Sequence, residues 1–390
     1  MSNIAIIGGG IGGIVAGIAL QKAGQSVRIY ERAPEFGEVG AGISMSPNAV
    51  LGLSRLGLGE WLEEVSNEPI EQHLCHGATG ELLQAIDRRN TRERYKAPYV
   101  QLHRADLLAK LIATFGEENC RMGADLTDIQ SREEGVTLHF GDGSSVDADA
   151  VIAADGLRSV VRDALFETKA PEFSGHIAYR GLIPAEKVTS RAIEALNINH
   201  LNEGRNIVSY PLRKGELVNV VALSKADGWV EEGWSVKADK AQLIEKYSGF
   251  PPYVQELLGE IPEEDLFCWG LFVREPLAEW RKGRTVLLGD AAHPMLPYMG
   301  QGASSAIEDG VILGRAFEEC DRLDAALNCY VATRIERASL LQRESNLGGE
   351  RLQAINPDMF RDTPIKDEDA LGIFAYDPAT TPLLGLPTRA

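Results

Sequence analysis

The 390-residue chain is 44% hydrophobic and 25% charged, without a low-complexity tract or fixed-period repeat, which excludes a disordered or solenoid protein and leaves room for two cores. With 39 basic against 57 acidic residues its formal charge is −18, a field that repels nucleic-acid phosphates and anionic membrane surfaces and excludes both as partners. The five cysteines (Cys75, Cys120, Cys268, Cys320 and Cys329) are odd in number and lack C-x-x-C spacing, so they read as reduced thiols. No apolar run reaches membrane-spanning length, a first strand so close to the start leaves no room for a signal peptide, and the expected address is cytoplasmic.

The short apolar run Ile4 to Ile7 reads as a buried strand that breaks into Gly8-x-Gly10-x-x-Gly13 before a helix over Ile14 to Ala23. That order suits a pyrophosphate. Gly8 permits a tight turn, Gly10 lets the backbone approach the phosphates, Gly13 lets the helix pack on the strand, and the free N–H groups of the helix face the anion. The strand Ser26 to Tyr30 ends at Glu31, about twenty residues on, where a carboxylate accepts hydrogen bonds from ribose hydroxyls; Glu31 and its neighbour Arg32 are candidates for that end of the ligand.

A glycine-rich loop, Gly37 to Pro47, precedes a helix over Asn48 to Leu56, and Arg104 sits just before a helix over Leu107 to Phe115. From Ala124 the alternation of apolar and polar residues predicts a β-meander ending in the buried run Ala150 to Ala154, which delivers Asp155-Gly156. Longer alternating strands follow at His176 to Ile183, Asn206 to Leu212 and Leu217 to Leu223, with Trp229, Trp234 and Trp269 in or beside them. Another buried strand, Thr285 to Leu288, reaches Gly289-Asp290 and is followed by helices over Ala303 to Glu319 and Ala325 to Arg343. Beyond Asn356 the tail is proline-rich, yet Ile373, Phe374 and Tyr376 predict that it packs onto the body.

The fold class is therefore α/β, a Rossmann-like FAD-binding domain interleaved with an α+β substrate domain built on an antiparallel sheet. Residues 1–70, 100–170 and 276–350 are assigned to the first, 71–99 and 171–275 to the second, and 351–390 to a C-terminal tail. FAD is the expected ligand because Asp290, after a buried strand, suits ribityl hydroxyls, while Gly300-Gln301-Gly302-Ala303 opens a helix whose N–H groups face the flavin N1 and C2 carbonyl. The seven histidines, His73, His76, His103, His139, His176, His200 and His293, show no ligand spacing, so no metal is expected; His73 and His76 are placed on a loop or edge strand.

The glycine fingerprint, Asp155-Gly156-Leu-Arg-Ser159-Val-Val-Arg162 and Gly289-Asp290-Ala-Ala-His293-Pro294 together resemble the single-component FAD-dependent aromatic hydroxylases of the para-hydroxybenzoate hydroxylase type, over most of the chain. Within that family, Gly40 to Asn48 and the block after His293 are most similar to the salicylate, hydroxybenzoate and hydroxynicotinate monooxygenases. The resemblance implies NADH or NADPH as a transient reductant, O2, a flavin C(4a)-hydroperoxide and a small aromatic acid as the hydroxylated substrate. It also implies that Arg104 lies near the FAD phosphates or ribityl chain, that Pro297, Tyr298 and Met299 wall the pocket, and that Asp155 serves FAD, the nicotinamide nucleotide or the local structure. For Arg158 and Arg162 a structural role competes with a binding one.

Tyr210 is the first candidate for a substrate-side base or hydrogen-bond partner, with core packing as its competing reading; Tyr298 and His293 come second, and for His293 the competing reading is a brace for the Gly289-Asp290 turn. Arg180 or Arg205 could pair with a substrate carboxylate, which the chain's negative field would otherwise repel. Ser44, Asn206 and Tyr298 stand where several relatives carry histidines, which leaves benzoate-type and hydroxynicotinate-type rings both open. A larger non-acidic substrate, or a dinucleotide-binding protein without monooxygenase chemistry, are the alternatives, and both a monomer and a homodimer are compatible.

Overall fold

A computed structural model describes residues 1–37, 41–188, 194, 196–228, 236–353, 356–363 and 370–386; Gly40, Trp229 and Trp234 lie outside the described residues. A six-stranded sheet runs in the order Arg281–Lys282, Thr285–Leu287, Ala150–Ala153, Asn3–Ile7, Ser26–Tyr30 and Cys120–Arg121. All its pairings are parallel except the first. Ile4, Ile6, Val151, Ile152 and Val286 are buried, as strands covered on both faces require. Ala150–Ala153 does not finish the meander as expected. It leaves the three-stranded sheet of Leu126–Arg132, Gly135–Phe140 and Ser145–Ala148 and pairs with the first strand instead, because an all-apolar run is stable only where both faces are covered.

The first helix begins at Ile11, three residues before the expected Ile14, so that Gly12 and Gly13 lie inside it. A Cβ on Gly13 would sit 2.1 Å from the Gly8 carbonyl oxygen, and Gly8 itself has φ of +104°, so the turn closes only with glycine at both positions. Likewise Arg104 is the first residue of its helix, Arg104–Phe115, rather than a residue ahead of it. The helix expected from Ala303 starts at Gly302 and the next runs from Leu323 to Asn346.

An eight-stranded sheet of order Val236–Lys237, Phe267–Val273, Glu172–Pro184, Leu217–Lys225, Arg205–Leu212, Leu196–Asn202, Glu71–His76 and Leu82–Asp87 carries the long alternating strands. It corrects the placement of His73 and His76: their strand is paired on both sides, in parallel with Leu196–Asn202 and antiparallel with Leu82–Asp87, which is the edge. Alternation divides its two faces. Ile177, Tyr179, Ile183, Ile207, Val218 and Val220 pack with Leu243, Tyr247 and Leu258, while Ala178, Leu223, Trp269 and Leu271 point the other way, onto Leu296 of the loop after Gly289-Asp290. The tail packs as expected, with Ile373 and Phe374 buried.

Candidate active site

The glycine turn is braced by the acid at the end of the second strand. Glu31 accepts the Gly9 N–H through one carboxylate oxygen (2.6 Å) and the Ala33 N–H through the other (2.9 Å), while Arg32 is exposed. Gly10 caps the first helix without a side-chain bond to its N–H groups, and a Cβ built there would meet nothing within 4 Å. An uncapped helix start beside open space is what an anion needs.

The residues of the Asp155-Gly156 motif hold the local structure and tie it to the second motif. Asp155 accepts from the Ser159 hydroxyl (2.5 Å) and the Val161 N–H (3.2 Å), and Ser159 in turn accepts the Arg162 N–H (2.9 Å) at the start of the helix Val160–Leu165. Burial pushes the Asp155 carboxyl upward against these hydrogen bonds. Arg162 is fully buried and donates to the Leu157 carbonyl at 2.7 Å and to the Ala291 carbonyl at 3.3 Å, so it fastens the two motifs together.

Asp290, on a short turn after Leu288, is half-buried, and its carboxyl is pushed up by burial against the pull of His293, Arg104 and Arg162. Arg104 and Arg162 act on it from distant parts of the chain and His293 from three residues on. His293 is fully buried; its ring lies tilted against Trp280, with centroids 5.2 Å apart, and its Nε2 bonds the Asp309 carboxylate at 2.6 Å, a geometry that suits the bracing role considered for it in the sequence. At Gly300 the backbone is left-handed, with φ of +63°, and the helix from Gly302 begins without a side-chain cap from Gln301. Instead Gln301 donates to the Ser46 hydroxyl at 3.0 Å, Ser46 donates to Asn48 at 2.5 Å, and Asn48 donates to Glu308 at 2.6 Å.

Tyr210 is buried on the sheet face that carries Asn206, next to Gly42, and its hydroxyl bonds Ser44. Burial, reinforced by nearby Tyr99 and only partly offset by Ser44, pushes this phenol well above its ordinary range, so at neutral pH it is a donor. Pro297, Tyr298 and Met299 form a short helical turn. Tyr298 packs against the cluster that holds Leu296 and Trp269, its ring lies edge-on to His176 at 5.9 Å, and its hydroxyl accepts a hydrogen bond from Gln353 at 3.3 Å. Gln353 also donates to Asn206 at 3.2 Å, so two of the three positions singled out in the sequence meet through a residue that sequence reasoning missed. Of the two arginines considered for a carboxylate, Arg180 lies over the Trp269 ring at 5.2 Å. Arg205 donates instead to the Lys246 carbonyl, on the helix that packs against the opposite face.

Residues 1–345 match a protein family described as "FAD binding domain". The chain belongs to that family. It is 35% identical over 350 residues to the 6-hydroxynicotinate 3-monooxygenase of Pseudomonas fluorescens, covering 88% of this chain and 90% of that protein. It is also 35% identical over 355 residues to 3-hydroxybenzoate 6-hydroxylase 1 of Aquipseudomonas alcaligenes, covering 90% and 89%. A solved salicylate hydroxylase substrate complex superposes with a TM-score of 0.81 at 28% identity, over 98% of this chain and 99% of that one. The resemblance read from the three motifs is thus borne out, and so is the α/β class.

The residues present fit FAD, which accounts for features of this family member that the protein alone leaves open. The first helix starts uncapped beside unfilled space at Gly10, burial pushes the Asp290 carboxyl up, and Gln101, fully buried, has neither amide atom hydrogen-bonded to another described residue. A ligand with phosphates, hydroxyls and a polar ring edge answers each of these. Among the described residues there is no cluster of three or more His, Cys, Asp and Glu able to hold a metal, and no helix long and apolar enough to cross a membrane.

Proposed function

We propose that this flavin-dependent aromatic-ring monooxygenase uses NADH or NADPH and O2 to hydroxylate a small aromatic acid of the salicylate, hydroxybenzoate or hydroxynicotinate type, in the cytoplasm. The relatives named above act on acids of this size, and the observation that carries the reading is Tyr210, a buried and protonated phenol hydrogen-bonded to Ser44 on the sheet face that carries the pocket wall. Bound FAD supplies the redox chemistry with O2. The Gly8–Gly13 turn and the first helix would hold its pyrophosphate, Glu31 its ribose, Arg104 and Asp290 its ribityl and phosphate region, and Gly300 to Ala303 its ring edge.

In this reading residues 1–70, 100–170 and 276–350 hold the cofactor, and 71–99 and 171–275 roof the substrate. The chain's own contribution is to orient the ring and exclude water. Tyr298, Leu296, Val221 and Trp269 are an apolar wall, and Tyr210 presents a proton to a substrate hydroxyl or takes part in moving one away, which makes the ring a better nucleophile. The test is to load the protein with FAD and follow NADH and NADPH oxidation in air against a panel of hydroxybenzoates and hydroxynicotinates, titrating hydrogen peroxide in the same samples. Strong stimulation by one acid with little peroxide is the expected result; stimulation with stoichiometric peroxide identifies a mimic, and no stimulation by any acid overturns the proposed substrate class.

A further inference from the structure

The segment Leu371–Thr381 re-enters the body of the protein more than twenty residues after the last long helix, Leu323–Asn346, and it is fastened at three places. Arg315 donates to the Pro378 and Thr381 carbonyls at 2.9 and 2.8 Å. Arg337 donates to the Gly372 and Ile373 carbonyls at 3.4 and 3.2 Å, and the Tyr376 ring lies 3.8 Å from its guanidinium carbon. Between these anchors Ile373 and Phe374 are buried in a cluster with Leu341, Tyr95, Tyr99, Met295 and Met299.

Both ends of that fastening reach the site. Arg337 also grips Glu308 through two hydrogen bonds of 2.9 Å, and Glu308 continues through Asn48 and Ser46 to Gln301 at the head of the Gly302–Glu319 helix. Phe374 packs edge-on against Tyr95 (5.5 Å) and lies 5.9 Å from Tyr99, the neighbour of Tyr210, and the two methionines that flank Leu296 to Tyr298 pack against the cluster it forms with Leu341 and Ile373. Tyr298 itself fits only because two residues just past the Leu323–Asn346 helix are glycines: a Cβ on Gly348 would lie 2.3 Å from the Tyr298 Cβ, and one on Gly349 would lie 3.1 Å from its ring.

We propose that the Leu371–Tyr376 strap, through Phe374 and its grip on Arg337, is a positioning element of the active site that holds the Met295–Met299 wall and the head of the Gly302–Glu319 helix in register. The inference rests on the reading of that loop as the substrate wall. Phe374 touches no reacting atom. It works by filling the space behind Tyr99 and Met299, so its loss lets the wall retreat and admits water beside the ring being oxidised.

The experiment compares FAD-loaded wild-type protein with Phe374→Ala and Phe374→Leu, after showing equal FAD content by visible absorbance. Hydrogen–deuterium exchange is read first, because it needs no substrate. Faster exchange of the 295–300 amides in Phe374→Ala, with the first helix unchanged, is expected; identical exchange over 295–300 overturns the proposal whatever the substrate is. With the best acid of the hydroxybenzoate and hydroxynicotinate panel, Phe374→Ala is expected to raise KM about tenfold and to shift most NAD(P)H consumption to peroxide, with Phe374→Leu restoring coupling. A variant that lowers Tm while leaving KM and the peroxide share at wild-type values shows a merely structural residue and overturns it as well. Failure of every acid to stimulate the wild type counts against the proposed substrate class, and the exchange measurement then judges the strap alone.

Discussion

His293 and Asp309 meet at 2.6 Å with both side chains fully buried, and the same carboxylate oxygen takes the Gly289 N–H at 3.0 Å. One acid on the Gly302–Glu319 helix thereby sets the conformation of the turn that presents Asp290. Its other oxygen binds Arg334 at 2.7 Å, and Glu308 beside it pairs with Arg334 and Arg337, so two buried carboxylates face one buried and one partly buried guanidinium. Such a cluster is stable as a set and costly to break singly.

Asp309→Asn therefore leaves Arg334 short of a counter-charge inside the protein and loosens the Gly289 turn. A loss of about 3–5 kcal/mol of stability is expected, together with purification largely without FAD, checked by urea unfolding and by the absorbance ratio of flavin to protein. Unchanged FAD content would show that the turn holds its shape without this bond.

The same carboxylate predicts how the protein responds to acid. Burial alone pushes Asp309 up, but the His293 and Arg334 charges and hydrogen bonds outweigh it and hold the group down to about 2. Its folded value thus lies below the value of about 3.9 for the unfolded chain, so its contribution is fully present above the unfolded value and is lost as pH falls through about 2. Circular dichroism against pH should show wild-type stability falling over that interval, and the Asp309→Asn curve should be flatter there.

Tyr210→Phe removes one hydroxyl from a buried face without changing the ring that packs by Gly42. FAD content and Tm are expected to stay near wild type, while substrate hydroxylation falls about 10²-fold, the scale of a positioned proton-transfer group. Because its phenol is raised by burial, no loss of activity from its ionisation is expected on the alkaline side up to about pH 10, its ordinary value. A pH–rate profile of kcat on the wild type and variant checks both statements.

Two glycines three positions apart, Gly10 and Gly13, separate folding from binding. Gly13→Ala forces a Cβ to within 2.1 Å of the Gly8 carbonyl oxygen and should destabilise the apoprotein by about 1–3 kcal/mol. Gly10→Ala meets no protein atom within 4 Å, so the apoprotein should unfold at the wild-type midpoint while FAD affinity falls about tenfold or more, because the methyl group occupies the space kept for the pyrophosphate. Thermal unfolding of apoproteins and fluorescence titration with FAD distinguish the two.

Much of the cofactor site was legible because its signals are local. The strand, glycine turn, helix and acid from Ile4 to Glu31 follow one another within a single supersecondary unit, and each follows from short-range sterics and periodicity. Gly289-Asp290 and the helix after Gly300 are readable for the same reason. What spacing could not supply was direction and partnership. Tyr210 and Arg205 lie on one strand, yet their side chains serve opposite faces, and only the packing of Leu296 shows which face of the sheet meets the loop after Gly289-Asp290.

The long-range partners were equally silent. Asn48 and Glu308 are 260 positions apart, Gln353 reaches Tyr298 and Asn206 from beyond the last long helix, and Phe374 arrives from the tail. By itself the sequence determined the dinucleotide-binding fold and its flavin-type second motif, since those features depend on residues close to one another along the chain. The tertiary structure alone decided that His293 meets Asp309, that Glu71–His76 lies inside a sheet, and that Phe374 packs with Ile373 and Leu341. The physical reason is that burial, charge pairing and ring packing are properties of surfaces brought together by the whole fold, and no window of the chain contains both surfaces.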